Sequence, residues 1–298
     1  MQQAHMNRHF DLLITAITPA IWGSTYVVTT QLLPAGYPLT VAMLRALPAG
    51  LLLLLLVREL PKGVWWGRSF VLGALNFSFF FAMLFVSAYR LPGGVAATVG
   101  AIQPLIVVVL AWILLGSTIR VLSVVAAVAG MMGVALMLLT PRAALDPVGI
   151  AAGLAGAVSM AFGIVLGHRW RPPVSPLTFT AWQLTAGGIM LAPFAWLLEP
   201  SLPTLTRSNI LGLVYLCLCG GAVAYVLWFR GIARLGPSVI APLGFLSPVT
   251  AVILGWLIVN QDLTPTQLVG MVVVIASVWL SQRAQSADFR KANLRKDT

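Results

Sequence analysis

One charged side chain, Arg45, lies inside a long apolar stretch of this 298-residue chain, in the run L-T-V-A-M-L-R-A-L-P. A guanidinium surrounded by lipid costs several kcal/mol unless it is hydrated or paired, so its presence needs an explanation. Arg45 either attracts an anionic group, such as the carboxylate of a bound solute, or extends towards the membrane surface and caps backbone carbonyls. The sequence leaves both explanations open.

Neutral polar and aromatic residues in other apolar stretches complete a candidate binding site for a small molecule. Amides and hydroxyls in apolar helices need hydrogen-bond partners, and aromatic rings offer a face to an aromatic or apolar group. The residues expected to hydrogen-bond a solute are Ser24, Asn76, Thr98, Gln103 and Ser247. Those expected to pack against it are Trp22, Phe80, Phe162 and Tyr225, with Ser159 beside Phe162 on the same helix. The competing interpretation is ordinary hydrogen bonding and packing between helices.

The sequence lacks the patterns from which active sites are usually built. It contains no HExxH motif, no nucleophile elbow and no pair of carboxylates. Cys217 and Cys219 are two residues apart and therefore point about 200° apart around a helix, so they cannot face a common metal ion. We expect the protein not to be an enzyme, and we expect neither a cofactor nor a metal site.

The acidic residues all fall in predicted loops, helix ends or tails. They are Asp11, Glu59, Asp146, Glu199, Asp262, Asp288 and Asp297. Coupling to protons or sodium usually relies on a carboxylate inside the membrane, because such a group binds and releases the coupling cation there. If this chain moves a solute across a membrane, we expect gradient-driven transport or exchange without ion coupling.

The composition indicates the environment of these residues. The chain is 59% hydrophobic and 8% charged, with a mean hydropathy of +0.96, so most of its surface faces lipid. Each crossing needs roughly 20 apolar residues, and ten such stretches are separated by short connections. They cover residues 12–31, 38–57, 68–89, 93–115, 121–140, 148–168, 176–198, 209–230, 237–259 and 264–282. The sequence predicts an all-α integral membrane protein with ten transmembrane helices.

The second half of the chain repeats the first. The segment R-L-P-G-G-V-A-A-T-V-G-A-I-Q-P-L from Arg90 returns without a gap as R-L-G-P-S-V-I-A-P-L-G-F-L-S-P-V from Arg234. Pro104 and Pro248 are equivalent in this register, and prolines within helices bend them by freeing a carbonyl one turn earlier. Pro242 adds a second break. Two copies of a five-helix unit must be inverted relative to each other, an architecture typical of alternating-access transporters.

The net charge of +11 is distributed as the positive-inside rule requires, so we assign it to topology and expect no nucleic acid partner. With a cytoplasmic N-terminus, fourteen basic residues are cytoplasmic and three, Arg90, Arg142 and Arg207, are outside. We therefore expect both termini in the cytoplasm. The predicted units are an N-terminal tail (1–11), a first repeat (12–140), a second repeat (141–283) and a basic C-terminal tail (284–298). The expected partners are the lipid bilayer and a small-molecule substrate, with a monomeric or homodimeric protein.

Several motifs resemble those of the EamA family of the drug/metabolite transporter superfamily. They are W-G-S-T-Y at 22–26, P-L-T-V-A-M-L-R-A at 38–46, A-Y-R-L-P-G-G-V-A-A at 88–97 and Q-P-L at 103–105. The resemblance covers nearly the whole chain and looks strongest towards bacterial amino acid exporters of the YddG type. It implies a ten-helix inverted repeat in the inner membrane and export of aromatic and other amino acids. The chain departs from the L-G-E that commonly ends helices four and nine, where it has Leu115-Gly116-Ser117 and Val259-Asn260-Gln261.

These expectations describe a secondary transporter that exports amino acids or related metabolites by alternating access. Helices one, three, four, six, eight and nine would line a central cavity, whose dipoles and rings would accept several substrates weakly. An exporter of drugs or other metabolites is the alternative substrate class. A channel is the alternative mechanism, but it would need a continuous polar stripe and usually oligomeric symmetry, and the sequence shows no such stripe.

Overall fold

The structure is a computed structural model that describes residues 2–90, 99–138, 146–260 and 262–294. These ranges contain ten helices in chain order, which we number α1 to α10. The continuous α-helices are α1 (Gln2–Leu32), α2 (Pro38–Val57), α4 (Gln103–Leu115), α5 (Val121–Leu138), α6 (Pro147–Trp170), α7 (Pro176–Leu198) and α10 (Pro265–Leu294).

The other three helices contain irregular turns. Helix α3 consists of Trp65–Gly73, a π-helical segment Ala74–Ser78 and Phe79–Arg90. Helix α8 consists of Arg207–Tyr215, a π-helical segment Leu216–Val223 and Ala224–Leu235. Helix α9 consists of Pro237–Ile240, a 3₁₀ segment Ala241–Phe245 and Leu246–Val259.

The prediction of an all-α membrane protein built from two inverted five-helix repeats is confirmed. Among the described residues, nine helices are long and apolar enough to cross a membrane, and α4 is a shorter apolar helix. Many apolar side chains of these helices face outwards, as a lipid environment allows; examples are Leu55, Trp196 and Val272.

Helix boundaries follow local chemistry. Pro38 and Pro176 begin α2 and α7, where the missing amide proton costs nothing. Asp146 caps α6 by accepting a hydrogen bond from the Gly149 amide. Gly116 and Asn260 end α4 and α9 in the left-handed conformation, which these two residue types adopt most easily. They are equivalent in the repeat register, so both repeats end their fourth helix in the same way.

The two repeats pack against each other along most of their length. Helix α2 lies against α7 and α5 lies against α10, so each of these pairs joins equivalent helices. Helix α1 contacts α8 and α9, and in the same way α6 contacts α3 and α4. Gly133 and Gly270 permit the close approach of α5 and α10, since a Cβ on Gly270 would lie 2.7 Å from the Gly133 carbonyl. The core is therefore an interface between repeats.

The observed helices differ from the predicted stretches at the chain ends and at α4, which begins at Gln103 and not at residue 93; residues 91–98 lie outside the described ranges. Helix α10 continues to Leu294 and α1 begins at Gln2, whereas residues 284–298 and 1–11 were predicted as tails. Hydropathy marks only the lipid-spanning part of a helix, and residues such as Ala, Arg, Lys and Gln extend a helix into water. Helices α2 and α7 have the predicted bounds at both ends.

Candidate functional site

Helices α3 and α8 carry their π-helical segments at equivalent places in the two repeats. Asn76 and Gly220 are separated by the same 144 positions as Arg90 and Arg234, and each lies within the π segment of its helix. A π segment widens the helix by one residue, disrupts the regular hydrogen-bond ladder and is frequently found at functional sites. The repeat symmetry thus places two such irregularities in the interior.

The π segment of α8 makes the carbonyl oxygen of Gly220 available to other helices. In a regular α-helix this oxygen would accept from the amide of Ala224, but that amide donates to the carbonyls of Cys219 and Gly221. Two side chains donate to the Gly220 oxygen instead. They are the indole Nε1 of Trp22, at 3.3 Å, and Nη2 of Arg45, at 3.0 Å.

The guanidinium of Arg45 lies between aromatic rings inside the protein. Its central carbon is 5.7 Å from the ring centre of Phe81 and 5.9 Å from that of Tyr225, distances at which a cation is attracted to a ring face. Phe81 and Tyr225 are equivalent positions of the two repeats. The Nε of Arg45 is buried and has no hydrogen-bond partner. Arg45 therefore retains capacity to bind an anion, and it does not extend to the membrane surface.

An aromatic cluster borders this cation. The ring of Trp22 lies 5.0 Å from those of Tyr225 and Trp228, and the ring of Phe77 lies 4.7 Å from that of Tyr225. Tyr225 and Trp228 are almost fully buried. The structure thus brings together two of the predicted packing residues, Trp22 and Tyr225, beside Arg45.

The equivalent place in the other repeat holds a pair of neutral amides. Gln183 corresponds to Arg45, because Pro176-Leu177-Thr178 repeats Pro38-Leu39-Thr40. Its Oε1 accepts a hydrogen bond of 2.8 Å from Nδ2 of Asn76, and both side chains are fully buried. A Cβ on Gly163 would collide with the Asn76 amide. The hydrogen bond between Asn76 and Gln183 joins helices α3 and α7, and it leaves Oδ1 of Asn76 buried without a hydrogen-bond partner. The role of Asn76 in substrate binding stays a prediction.

Ser24 and Ser159 take part in contacts between helices, whereas the ring contact of Phe80 lies within α3. Ser24 shares a hydrogen bond of 2.6 Å with the hydroxyl of Tyr215 in α8, one residue before its π segment. Ser159 donates to the carbonyl oxygen of Leu75 at 2.8 Å, in the π segment of α3. Phe80 packs against Phe81, with ring centres 5.4 Å apart.

Phe162 lies elsewhere. It packs against a separate cluster that includes Val107 of α4 and Ala241 of α9. Thr98 lies outside the described residues. Phe162 is thus not in the aromatic cluster of Trp22 and Tyr225, and its role in substrate binding stays a prediction.

Pro104 and Pro248 lie in the first turn of a helical segment and do not bend a continuous helix. Pro104 is the second residue of α4 and Pro248 the third residue of the last α-helical segment of α9. In the first turn of a helix the missing amide costs little. Pro242 lies in the 3₁₀ segment of α9. The neighbouring Gln103 and Ser247, both half-buried, begin the regular parts of these helices.

Two ion pairs at equivalent positions join the repeats on opposite faces of the membrane. Asp11 of α1 lies 2.7 Å from Arg230 and 3.2 Å from Arg234 of α8, and its side chain is 7% exposed. Asp146, at the start of α6, lies 3.4 Å from Arg90 of α3, with side chains 35% and 50% exposed. The Gly149 amide, helped by Arg90, holds the pKa of the Asp146 carboxyl below its usual range. The face where α1 begins, which we call the N-terminal face, is the more tightly paired.

Two residues of this region, Gly220 and Tyr215, were not predicted from the sequence. A signal for Gly220 existed, because extending the Arg90/Arg234 register backwards aligns Gly220 with Asn76. A glycine carbonyl is not visible as a ligand in a sequence pattern. Among the described residues, no group of three or more His, Cys, Asp or Glu side chains is arranged to hold a metal ion.

Ten apolar helices in two inverted repeats, with a polar site at their interface, define a membrane transporter. The chain belongs to the EamA-like transporter family, which matches residues 10–139 and 147–282. The two matched ranges correspond to the two repeats.

Individual relatives support this membership. The chain is 46% identical to Protein PecM of Dickeya dadantii (strain 3937), over 89% of each chain. It is 30% identical to the uncharacterized inner membrane transporter YedA of Escherichia coli (strain K12), over 87% of this chain and 86% of the relative. A solved crystal structure covers 94% of this chain and 98% of its own, with a TM-score of 0.81 and 20% identity, which shows the shared fold alone. The narrower resemblance to the YddG type stays a prediction.

Proposed function

We propose that this protein exports amino acids, aromatic and other neutral ones, or related metabolites, by alternating access and with broad specificity. One observation carries the proposal: the buried guanidinium of Arg45 lies between repeat-related rings and has an Nε without a partner. A substrate carboxylate satisfies such a group, because charge-assisted hydrogen bonds to guanidinium are strong and directional. The substrate's carboxylate would bind Arg45, and its side chain would pack against Trp22 and Tyr225.

The aromatic cluster supports the preference for apolar and aromatic side chains. Trp22, Tyr225 and Trp228 offer flat surfaces in mutual contact, and rings of this kind accept a substrate ring in stacked or edge-on geometry. The carbonyl oxygen of Gly220 accepts from Arg45 and Trp22 and so holds both side chains in place. An amino acid thus finds a cation and an apolar wall within one region.

The paired architecture supports alternating access. The repeat-related ion pairs, Asp11 with Arg234 and Asp146 with Arg90, join a third helix to the first helix of the other repeat. Rocking of one repeat against the other would loosen one pair while it tightens the other. The irregular segments of α3, α8 and α9 lie where such movement requires helices to change shape.

We further propose that the protein lies in a bacterial inner membrane with both termini in the cytoplasm and works without proton or sodium coupling. Positive charges concentrated near the N-terminal face support the orientation. The most buried acidic side chain described, that of Asp11, is engaged by two arginines, which argues against its use as a proton carrier.

Counterflow in proteoliposomes tests this proposal. Vesicles loaded with an unlabelled neutral amino acid should accumulate the labelled one transiently and saturably, and an imposed pH gradient should change the rate little. Strong stimulation by the pH gradient would disprove uncoupled transport. Flux that does not saturate would indicate a channel, and absence of counterflow for every amino acid would leave drugs or other metabolites as substrates.

A further inference from the structure

A cavity of about 600 Å³ opens at the N-terminal face, apart from the candidate substrate site. It lies where α4, α6 and α8 end and where α5 and α9 begin. Apolar residues such as Leu115, Leu235 and Val239 form part of its wall. Its volume is sufficient for a small molecule or a lipid headgroup.

Four basic residues converge on this cavity from two parts of the chain. His168, Arg169 and Arg171 come from the end of α6, and Arg120 comes from the residue before α5. No carboxylate belongs to the part of the lining that the described residues form. Within the described ranges, neither Arg169 nor Arg171 forms an ion pair with an acidic side chain. Within the described lining, the positive charges of Arg169 and Arg171 are therefore not compensated by an acidic side chain.

Local backbone geometry builds this convergence. Helix α6 ends at Trp170, and Arg171 follows with a φ of 47°. A left-handed residue reverses the chain direction at a helix end, so Arg169 and Arg171 line the same cavity although α6 has ended between them. On the other side, Gly236 with a φ of 87° separates α8 from α9, a conformation that favours glycine. Hydroxyl groups of Ser117, Thr118 and Ser238 also line the cavity and add neutral donors.

We propose that this cavity is a binding site for a phosphate group, held by Arg120, Arg169 and Arg171 with hydroxyls of the wall. Guanidinium groups bind phosphate oxygens in pairs of parallel hydrogen bonds. The phosphate comes either from an anionic phospholipid headgroup, as in basic pockets between membrane helices, or from a soluble phosphate compound. The inference does not depend on which molecule the protein transports.

General positive charge near a membrane face does not account for this arrangement. Arg58 and Lys62 also lie near the N-terminal face, between α2 and α3, but do not line the cavity. The positive-inside rule requires basic residues near the helix ends; it does not require them to gather around one concave surface. The two groups of residues therefore provide a matched comparison.

The test is thermal stabilisation of the purified protein at constant ionic strength by three probes. These are inorganic phosphate, short-chain phosphatidylglycerol and, as a zwitterionic comparison, short-chain phosphatidylcholine. We expect saturable stabilisation by at least one of the first two, exceeding that by phosphatidylcholine. Arg169→Gln/Arg171→Gln should weaken apparent affinity about tenfold or more, whereas Arg58→Gln/Lys62→Gln, with the same change in charge, should not.

The pattern of responses identifies the source of the phosphate. Stabilisation by phosphatidylglycerol alone indicates a lipid headgroup, and an equal response to inorganic phosphate indicates a soluble compound. The proposal is overturned if neither anionic probe stabilises the protein more than phosphatidylcholine does. It is also overturned if the two double variants weaken binding equally, because the effect would then be one of surface charge.

Discussion

Nη2 of Arg45 lies 3.0 Å from the carbonyl oxygen of Gly220, across the boundary between the two repeats. The equivalent pair in the other repeat is Gln183 with Asn76, whose amides meet at 2.8 Å. The two contacts are related by the repeat, since each joins a second helix to the π segment of a third helix. Each contact leaves one buried atom without a hydrogen-bond partner, Oδ1 of Asn76 and Nε of Arg45, but only the second belongs to a charged group. This difference in charge defines where we expect a substrate.

The amide pair should behave as a structural contact. Asn76→Leu and Gln183→Met each leave one amide without its partner, at a cost of about 1 to 3 kcal/mol, reduced towards about 0.6 kcal/mol if the unfolded state in the membrane finds other partners. The double variant replaces both groups by apolar ones of similar shape and should recover most of the lost thermal stability. Its half-saturation constant in counterflow should match wild type. A double variant that is stable but no longer binds substrate would show that the amide pair contributes to substrate binding.

Two adjacent glycines of α8 should respond differently to alanine. A Cβ at Gly221 would lie 2.5 Å from the carbonyl oxygen of Arg45. Because this oxygen belongs to the backbone, the clash is relieved only if one of the two helices moves. A Cβ at Gly220 would lie 3.5 Å from Nε of Arg45, an ordinary contact. We expect Gly221→Ala to lower the melting temperature by several degrees, whereas Gly220→Ala should fold normally and weaken substrate binding by occupying space beside the guanidinium. Equal stability of the two variants would contradict the packing described here.

The two ion pairs should have opposite effects on access to the N-terminal face. Asp11→Asn weakens the tighter pairing on that face and should favour its opening, whereas Asp146→Asn should not. Accessibility is measured as the alkylation rate of Thr18→Cys, a buried position of α1 that faces α8, in a chain whose Cys217 and Cys219 are replaced by serine. We expect about a tenfold increase with Asp11→Asn, which corresponds to a shift of about 1.4 kcal/mol in the conformational equilibrium. A similar increase with Asp146→Asn would show that the two ion pairs do not stabilise opposite conformations.

Much of the fold was predictable because membrane crossing imposes a length and a composition that the sequence displays directly. Helices α2 and α7 begin at prolines and have their predicted bounds. The division into two repeats was also predictable, because the segments that begin at Arg90 and Arg234 align without a gap. These features depend on local chemistry and on chain symmetry.

The site was less predictable because its central acceptor is a backbone carbonyl. The oxygen of Gly220 is free only because a π segment diverts the amide of Ala224, and hydropathy does not report such a segment. The hydrogen-bond partner of Asn76 was not predictable for a related reason. The sequence does not distinguish a buried amide that faces a substrate from one that, as here, faces Gln183. Trp22 and Tyr225 were predicted, and their rings are in contact.

The central claim is that Arg45 binds the carboxylate of the transported molecule, and competition in counterflow tests it most directly. For wild type, a neutral amino acid should compete with its labelled form at least tenfold better than the corresponding amino acid amide does. Arg45→Gln, which introduces the residue found at the equivalent Gln183, should weaken competition by the acid about tenfold to a hundredfold and that by the amide little. Arg58→Gln, at the end of the same helix, should leave both unchanged. If Arg45→Gln retains wild-type preference for the acid over the amide, Arg45 does not bind the carboxylate and the proposed site is wrong.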